Sequence, residues 1–217
     1  ALTQTLNSIV KTIASADSLV FKNIPFNFWM LCSVYVLIVC WALAFKKPRL
    51  KSMKWAITSV LLVQLSVFIS LLNAQQKRTW LVLHQKKATL IFNQSGRRLQ
   101  IFARGKISES TVQNYRTQEF INEVNHDQLG HITYYYGHKI VLIDAAQTYP
   151  NTPADIVLLC QSPRINLDRL LENHKPKMIV ADGSNYPSSV ARWEASCQKQ
   201  KIPFHYTGKK GFFELTD

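Results

Sequence analysis

Two long stretches of the chain carry no charge. Phe28–Phe45 (FWMLCSVYVLIVCWALAF) and Trp55–Leu72 (WAITSVLLVQLSVFISLL) each run for 18 residues. As helices they would be ~27 Å long, close to the ~30 Å hydrocarbon core of a bilayer. Both are read as membrane spans, the second more polar through Thr58, Ser59, Gln64, Ser66 and Ser70. Between them Lys46–Lys54 (KKPRLKSMK) holds five basic residues in nine and no acid. Short positive loops stay on the cytoplasmic side, and Pro48 stops the first helix. The pair is therefore a hairpin with its loop in the cytoplasm, and both flanks lie across the membrane. Trp29, Trp41 and Trp55 fall towards the run ends, where an amphipathic ring favours the headgroup region. Gln64, mid-span, either lines a pathway or hydrogen-bonds to a neighbouring helix. Upstream, Leu2, Leu6, Ile9, Val10 and Ile13 follow the spacing of one helix face, so 1–27 is read as an amphipathic, interfacial helix broken at Pro25.

After Leu72 the pattern shortens to β-type runs. Trp80–His84, Ala88–Phe92 and Arg98–Phe102 predict three strands, with turns at Gln85–Lys87 and Asn93–Arg97. Thr111–Asn125 reads as a helix with Val112, Tyr115, Phe120 and Val124 on one side. His131–Tyr136 and His138–Ile143 flank Gly137 as a tight hairpin. Asp155–Cys160 and Met178–Ala181 are uninterrupted apolar runs, as in strands covered on both faces. Helices at Asn166–Asn173 and Pro187–Gln200 alternate with them, and Pro203–Thr207 with Gly211–Leu215 predicts a closing hairpin. The expected organisation is an interfacial helix over 1–27, a two-helix transmembrane hairpin over 28–72, and one sheet-centred α/β domain over 76–217.

Composition sharpens that division. Of 26 Lys plus Arg and 13 Asp plus Glu (net charge +13), only eight charged residues precede position 76. Two unlike halves exclude one uniform soluble domain, and 47% hydrophobic residues exclude disorder. Four Cys without paired spacing exclude a disulfide scaffold and a zinc finger. The first residue is Ala1, and the chain is expected to be a piece of something longer.

Chemical candidates are few. His126, Asp127 and His131 form the tightest His/Asp group, but Gly130 predicts a loop there, without metal spacing on a helix. Asp144, Asp155 and Asp182 fall at predicted strand ends, where active-site carboxylates or simple turns are found. Ser184 lies in DGSNY, outside a GxSxG elbow, and Asp182–Gly183 reads as a turn into the next helix. Cys160 and Cys197 could form a disulfide on the far side of the membrane or stay as two buried thiols.

Residues 154–215 (ADIVLLCQSPRINLDRLLENHKPKMIVADGSNYPSSVARWEASCQKQKIPFHYTGKKGFFEL) resemble the C-terminal domain of ComEC-type competence proteins, inner-membrane proteins implicated in DNA uptake. The segment LNSIVKTIASADSLVFKNIPFNFWMLCSVYVLI is similar to the last helices of that family's membrane domain. The resemblance is strongest over 1–75 and 138–216 and fits the variant with a shortened tail. It implies an α/β domain resembling a degenerate metallo-β-lactamase-like fold, through the strands IVLIDA (Ile140–Ala145) and ADIVLL (Ala154–Leu159), the Asp182–Asn185 turn and Thr207–Gly208. Nuclease chemistry on that fold would need an HxHxDH metal cluster. No HxH occurs here, and Cys160–Gln161–Ser162–Pro163–Arg164 follows the ADIVLL strand. The fold is thus expected without metal, cofactor or catalytic residues.

Residues 76–217 hold 19 basic and 12 acidic side chains. Lys86, Lys87, Arg97, Arg98, Arg104, Lys106, Lys209 and Lys210 are candidate DNA contacts, with Phe92, Phe102 and Tyr134–Tyr136 as candidate stacking rings. By resemblance the partners are single-stranded DNA, the bilayer and further membrane helices of a full-length protein. The expected location is multi-pass in the cell inner membrane, with the C-terminal domain extracytoplasmic and acting in DNA guidance or structural support. A metal-dependent nuclease with unrecognised ligands and a membrane-tethered interaction domain are the alternatives.

Overall fold

The computed structural model describes residues 24–46, 48–128, 130–146 and 153–216. The amphipathic helix expected over 1–27 lies outside the described residues except for 24–27, which are not helical. Helix α1 (Phe28–Lys46) opens on Asn27, whose Oδ1 accepts from the Met30 N–H at 2.9 Å. Pro48 separates it from α2 (Leu50–Gln76), so the connection is three residues rather than the nine expected. The basic stretch after Pro48 is itself helical: the Arg49 N–H donates to Ser52 Oγ at 3.0 Å and closes the first turn. α2 has 27 residues and is ~40 Å long, more than the hydrocarbon core needs.

The two helices pack through small residues. Ser33 and Ser66 hydroxyls meet at 3.0 Å, Asn27 Nδ2 donates to Ser70 Oγ at 2.6 Å, and Ala56, Ser59 and Ala74 are buried. Small side chains let backbones approach, the packing that holds helices together in lipid. The remaining surface is apolar and exposed, from Trp29 and Tyr35 to Leu65 and Phe68. Gln64 is exposed on this surface.

The rest of the chain is the expected α/β domain, and its strands are divided between two five-stranded sheets. β1 (Arg78–Gln85), β2 (Ala88–Ser95), β3 (Arg98–Arg104), β4 (Glu123–Asp127) and β10 (Phe213–Thr216) make the first, in the order β10-β1-β2-β3-β4. β5 (Ile132–Tyr135), β6 (His138–Ile143), β7 (Ile156–Leu159), β8 (Met178–Ala181) and β9 (Phe204–Tyr206) make the second in chain order, parallel from β6 onward. Trp80, Val82, Ile91 and Phe102 of the first meet Ile140, Leu142, Leu158 and Val180 of the second in a common core. Alternate residues point outward. Leu81, Leu90 and Phe92 pack under α3 (Glu109–Gln118), and Val141, Val157 and Ile179 under α4 (Leu167–His174) and α5 (Pro187–Lys199). The layers run α/β/β/α, and strands covered on both faces carry no polar alternation.

Three local expectations change. The helix predicted to reach Asn125 ends at Gln118, because Phe120 takes a left-handed φ of 55°. Val124 then pairs with Leu99 in the parallel edge strand β4. His126 is thus on a strand, not in a loop. The closing hairpin does not form: β9 pairs with β8 and β10 with β1, in different sheets, joined by the short helix α6 (Thr207–Lys210). The hairpin at Gly137 does form, Tyr136 and Gly137 carrying φ of 46° and 76° as a two-residue turn requires.

Candidate functional site

Because β6, β7 and β8 are parallel neighbours, the residues after them emerge along one edge of the second sheet. Those residues are Asp144, Cys160 and Asp182. Such an edge is where open α/β sheets place their ligand sites. The outer end of the first sheet covers it. The β1–β2 turn rests on Gly183, where the Lys87 N–H donates to the Gly183 carbonyl at 3.1 Å. A Cβ at Gly183 would stand 2.5 Å from the Gln85 carbonyl oxygen, so the close approach needs glycine. His84 Nδ1 and Thr207 Oγ1 meet at 3.2 Å and fix the same turn against α6.

Arg104, last on β3, forms an ion pair with Asp144 across the gap between the sheets. The carboxylate side chain is 3% exposed and the guanidinium 38%. Burial alone would raise the Asp144 pKa, but the Arg104 hydrogen bond, the Ala146 N–H and the Arg104 charge outweigh it and hold the carboxyl below its ordinary value. Asp182 is fully buried and its pKa is pushed up by that burial, against hydrogen bonds from Ser184 and Thr89. Its Oδ1 accepts from the Ser184 N–H at 3.0 Å and Asn185 Nδ2 at 2.9 Å. The Cys160 thiol beside it is raised well above its usual range by burial and by the Asp182 charge.

The loop after Cys160 is held open by the loop after Asp182. Gln161 and Ser162 are both left-handed, with φ of 57° and 52°. Their N–H groups donate to Ser184 Oγ at 2.7 Å and Asn185 Oδ1 at 2.8 Å. Two successive side-chain-bearing residues in that region persist only where neighbours fix them. Between the sheets a pocket of about 270 Å³ opens, bordered by Thr89, Phe102, Arg104, Asp127, Leu142 and Cys160.

Asp144, Asp155 and Asp182 all lie at strand ends, as the sequence predicted, but Asp155 is not on this edge. That residue precedes β7 at the opposite end, where the Lys139 N–H and Lys177 lower its pKa. Cys160 and Cys197 lie on opposite faces of the second sheet, in different cores, so they do not bridge; burial raises the Cys197 thiol to about 12. His126, Asp127 and His131 do not converge. Among the described residues no three His, Cys, Asp or Glu side chains are grouped to hold a metal.

The eight basic candidates divide. Lys86, Lys87, Arg104 and Lys106 surround the pocket end, and α6 carries Lys209 and Lys210 beside it, tied to Glu194 and to the Phe204 carbonyl. Arg97 and Arg98 occupy the other end of the same sheet, next to the end of α2. Phe92, Phe102 and Tyr135 are core residues rather than stacking rings, whereas Tyr134 and Tyr136 are exposed. The exposed ring at the pocket end is Tyr186, 70% accessible at the start of α5, which no sequence signal marked.

A four-layer domain on two apolar helices of membrane length defines the class of protein. A family model described as ComEC C-terminal domain matches residues 80–217, and the chain belongs to that family. It is a family of membrane proteins of competence and DNA uptake. Comparison with curated proteins and with solved structures gave no match.

Proposed function

We propose that the chain is the C-terminal part of an inner-membrane channel protein that takes up single-stranded DNA in natural competence. α1 and α2 cross the bilayer as a hairpin with the basic Lys46–Lys54 connection in the cytoplasm, and 76–217 form an extracytoplasmic domain. The exposed apolar surface of both helices suits lipid and the remaining membrane helices of a longer protein. The domain is a degenerate metallo-β-lactamase-like sandwich that guides DNA or supports the channel without catalysis.

The observation that carries the non-catalytic reading is the donor chemistry at the strand ends. Asp144 is paired with Arg104, and burial raises the pKa of both Asp182 and Cys160. A divalent ion takes deprotonated carboxylates and thiolates, so these shifts and the Arg104 pairing each work against holding one. What the edge offers instead is positive charge for phosphates: Lys86, Lys87 and Lys106 are exposed, and their side chains make no hydrogen bond or ion pair among the described residues.

The test is binding of a fluorescent oligothymidine by the full chain in detergent with EDTA present, over a series of salt concentrations. Affinity should fall with a log–log slope of about −0.7 per phosphate neutralised, and Lys86→Gln with Lys87→Gln should flatten it by about 1.4. Absent binding, or a flat response, would favour a membrane-tethered interaction domain. Stoichiometric zinc or manganese in the chain purified without EDTA, with strand cleavage, would favour a nuclease.

A further inference from the structure

The end of the domain nearest α1 and α2 holds a second basic site. Asn27 and Ser70 tie the start of α1 to α2 six residues before its last residue, Gln76, so Phe28 and Trp29, 69% and 73% exposed, stand about 10 Å short of the point where α2 ends. Exposed aromatic rings at a span end mark the headgroup region. Just beyond it the β2–β3 turn folds back onto α2: the Gly96 N–H donates to the Lys77 carbonyl at 2.8 Å. A Cβ at Gly96 would meet the Gln75 carbonyl oxygen at 2.8 Å, and φ there is +61°. This contact brings Arg97 and Arg98 to the membrane end of the sheet.

Two adjoining pockets, about 380 and 310 Å³, share Arg97 and Asn122. The first reaches Gln75, Arg78 and Arg98, the second Pro25 and Arg116. Among the described residues Glu123 is the one acidic residue bordering either, and nearby Glu119 is paired with Lys77 at 2.7 Å. Arg97 is fixed through Nε to the Phe120 carbonyl at 2.9 Å and through Nη2 to Asn122 Oδ1. Arg78 is held by the Tyr136 hydroxyl, whereas the exposed Arg98 side chain makes no hydrogen bond or ion pair among the described residues.

We propose that Arg78, Arg97, Arg98 and Arg116 form a binding site for the phosphate of an anionic phospholipid headgroup, seated where α2 leaves the bilayer. Guanidinium groups match phosphate oxygens in a bidentate fork, and a headgroup phosphate is at the right depth. Lipid is favoured over DNA because the pockets border Pro25 and Gln75, at the ends of the apolar helices, while the unpaired lysines gather at the opposite end of the domain. The site rests on the reading of α1 and α2 as spans. A bound lipid would fix the domain's tilt on the membrane and so aim its outer basic end.

The experiment uses the full chain in nanodiscs of equal parts phosphatidylglycerol and phosphatidylcholine, with retained lipids counted by native mass spectrometry after release into detergent. The expected result is preferential retention of phosphatidylglycerol. Arg98→Gln should cut that preference about fivefold, the effect of one charge at a lipid surface. Arg116→Gln should also lower it, Lys86→Gln should leave it intact, and millimolar inorganic phosphate should not displace the lipid. Arg97 is left in place because it also holds the turn. Equal retention of the two lipids, an unaffected Arg98→Gln variant, or displacement by inorganic phosphate would each overturn the site. Release of the chain from vesicles by alkaline carbonate would overturn the spans as well. A chain that stays in the vesicles yet shows no lipid preference would remove the site alone.

Discussion

Replacing Arg104 by Gln probes the link between the two sheets at the pocket edge. The substitution removes the charge facing a carboxylate that is 3% exposed and leaves Asp144 with the Ala146 N–H at 2.9 Å. Removing one partner of a fully buried pair costs about 3–5 kcal/mol; the 38% exposure of Arg104 lets solvent screen part of that, so the expected loss at neutral pH is about 2–3 kcal/mol. For a domain of this size that lowers the unfolding temperature by roughly 6–10 °C. Since Asp144 has a depressed pKa in the folded state, its ion pair stabilises the protein above the ordinary carboxylate value of 3.8 and is lost as pH falls through the folded value. The deficit of Arg104→Gln should therefore be full at neutral pH and shrink in acid. Fluorescence of the buried Trp80 and Trp193 during thermal unfolding of the full chain in detergent reads this. Adding Asp144→Asn should recover most of the loss. An unchanged midpoint at neutral pH, an equal deficit in acid, or a double variant as weak as the single one would refute the reasoning.

Asp182 should behave in the opposite sense. Its folded pKa is raised, so the native state binds more protons than the unfolded chain between 3.8 and the raised value, and stability falls as pH rises through that window. Asp182→Asn should stabilise the domain by about 1 kcal/mol at neutral pH, with the gain shrinking as pH falls through that window and gone below 3.8, as paired thermal scans would show. Cys160 and Cys197 should stay reduced in air and react with a maleimide only after unfolding; a mass loss of two hydrogens on oxidation would contradict their placement on opposite faces of the second sheet.

The elements legible in the sequence are those whose signal is local. The two charge-free runs, the buried β7 and β8, the Tyr136–Gly137 turn and α5 with Pro187 at its first position all follow from short stretches read alone. β4 was hidden because EVNHD is an exposed edge strand with no apolar run, and because nothing in the sequence marks Phe120 as left-handed. The final two strands were mispaired because each finds its partner far along the chain, Phe213 opposite Val82 and Phe204 opposite Ile179. The site was half visible for the same reason. Strand-end carboxylates announce themselves, but Arg104 reaching Asp144 and Thr89 reaching Ser184 depend on how the two sheets stack. The basic residues were legible one by one, and their division between the two ends of the first sheet follows from the hairpin path of β1, β2 and β3.

On the proposed topology both ends of the hairpin, and so the whole α/β domain, lie on the far side of the membrane from Lys46–Lys54. Lys86→Cys and Lys51→Cys place exposed thiols at the outer end of the domain and in the first turn of α2. In sealed, right-side-out vesicles an impermeant maleimide should label Lys86→Cys and spare Lys51→Cys, and in inverted vesicles the pattern should reverse. Labelling of Lys86→Cys from the cytosolic face alone would contradict the account.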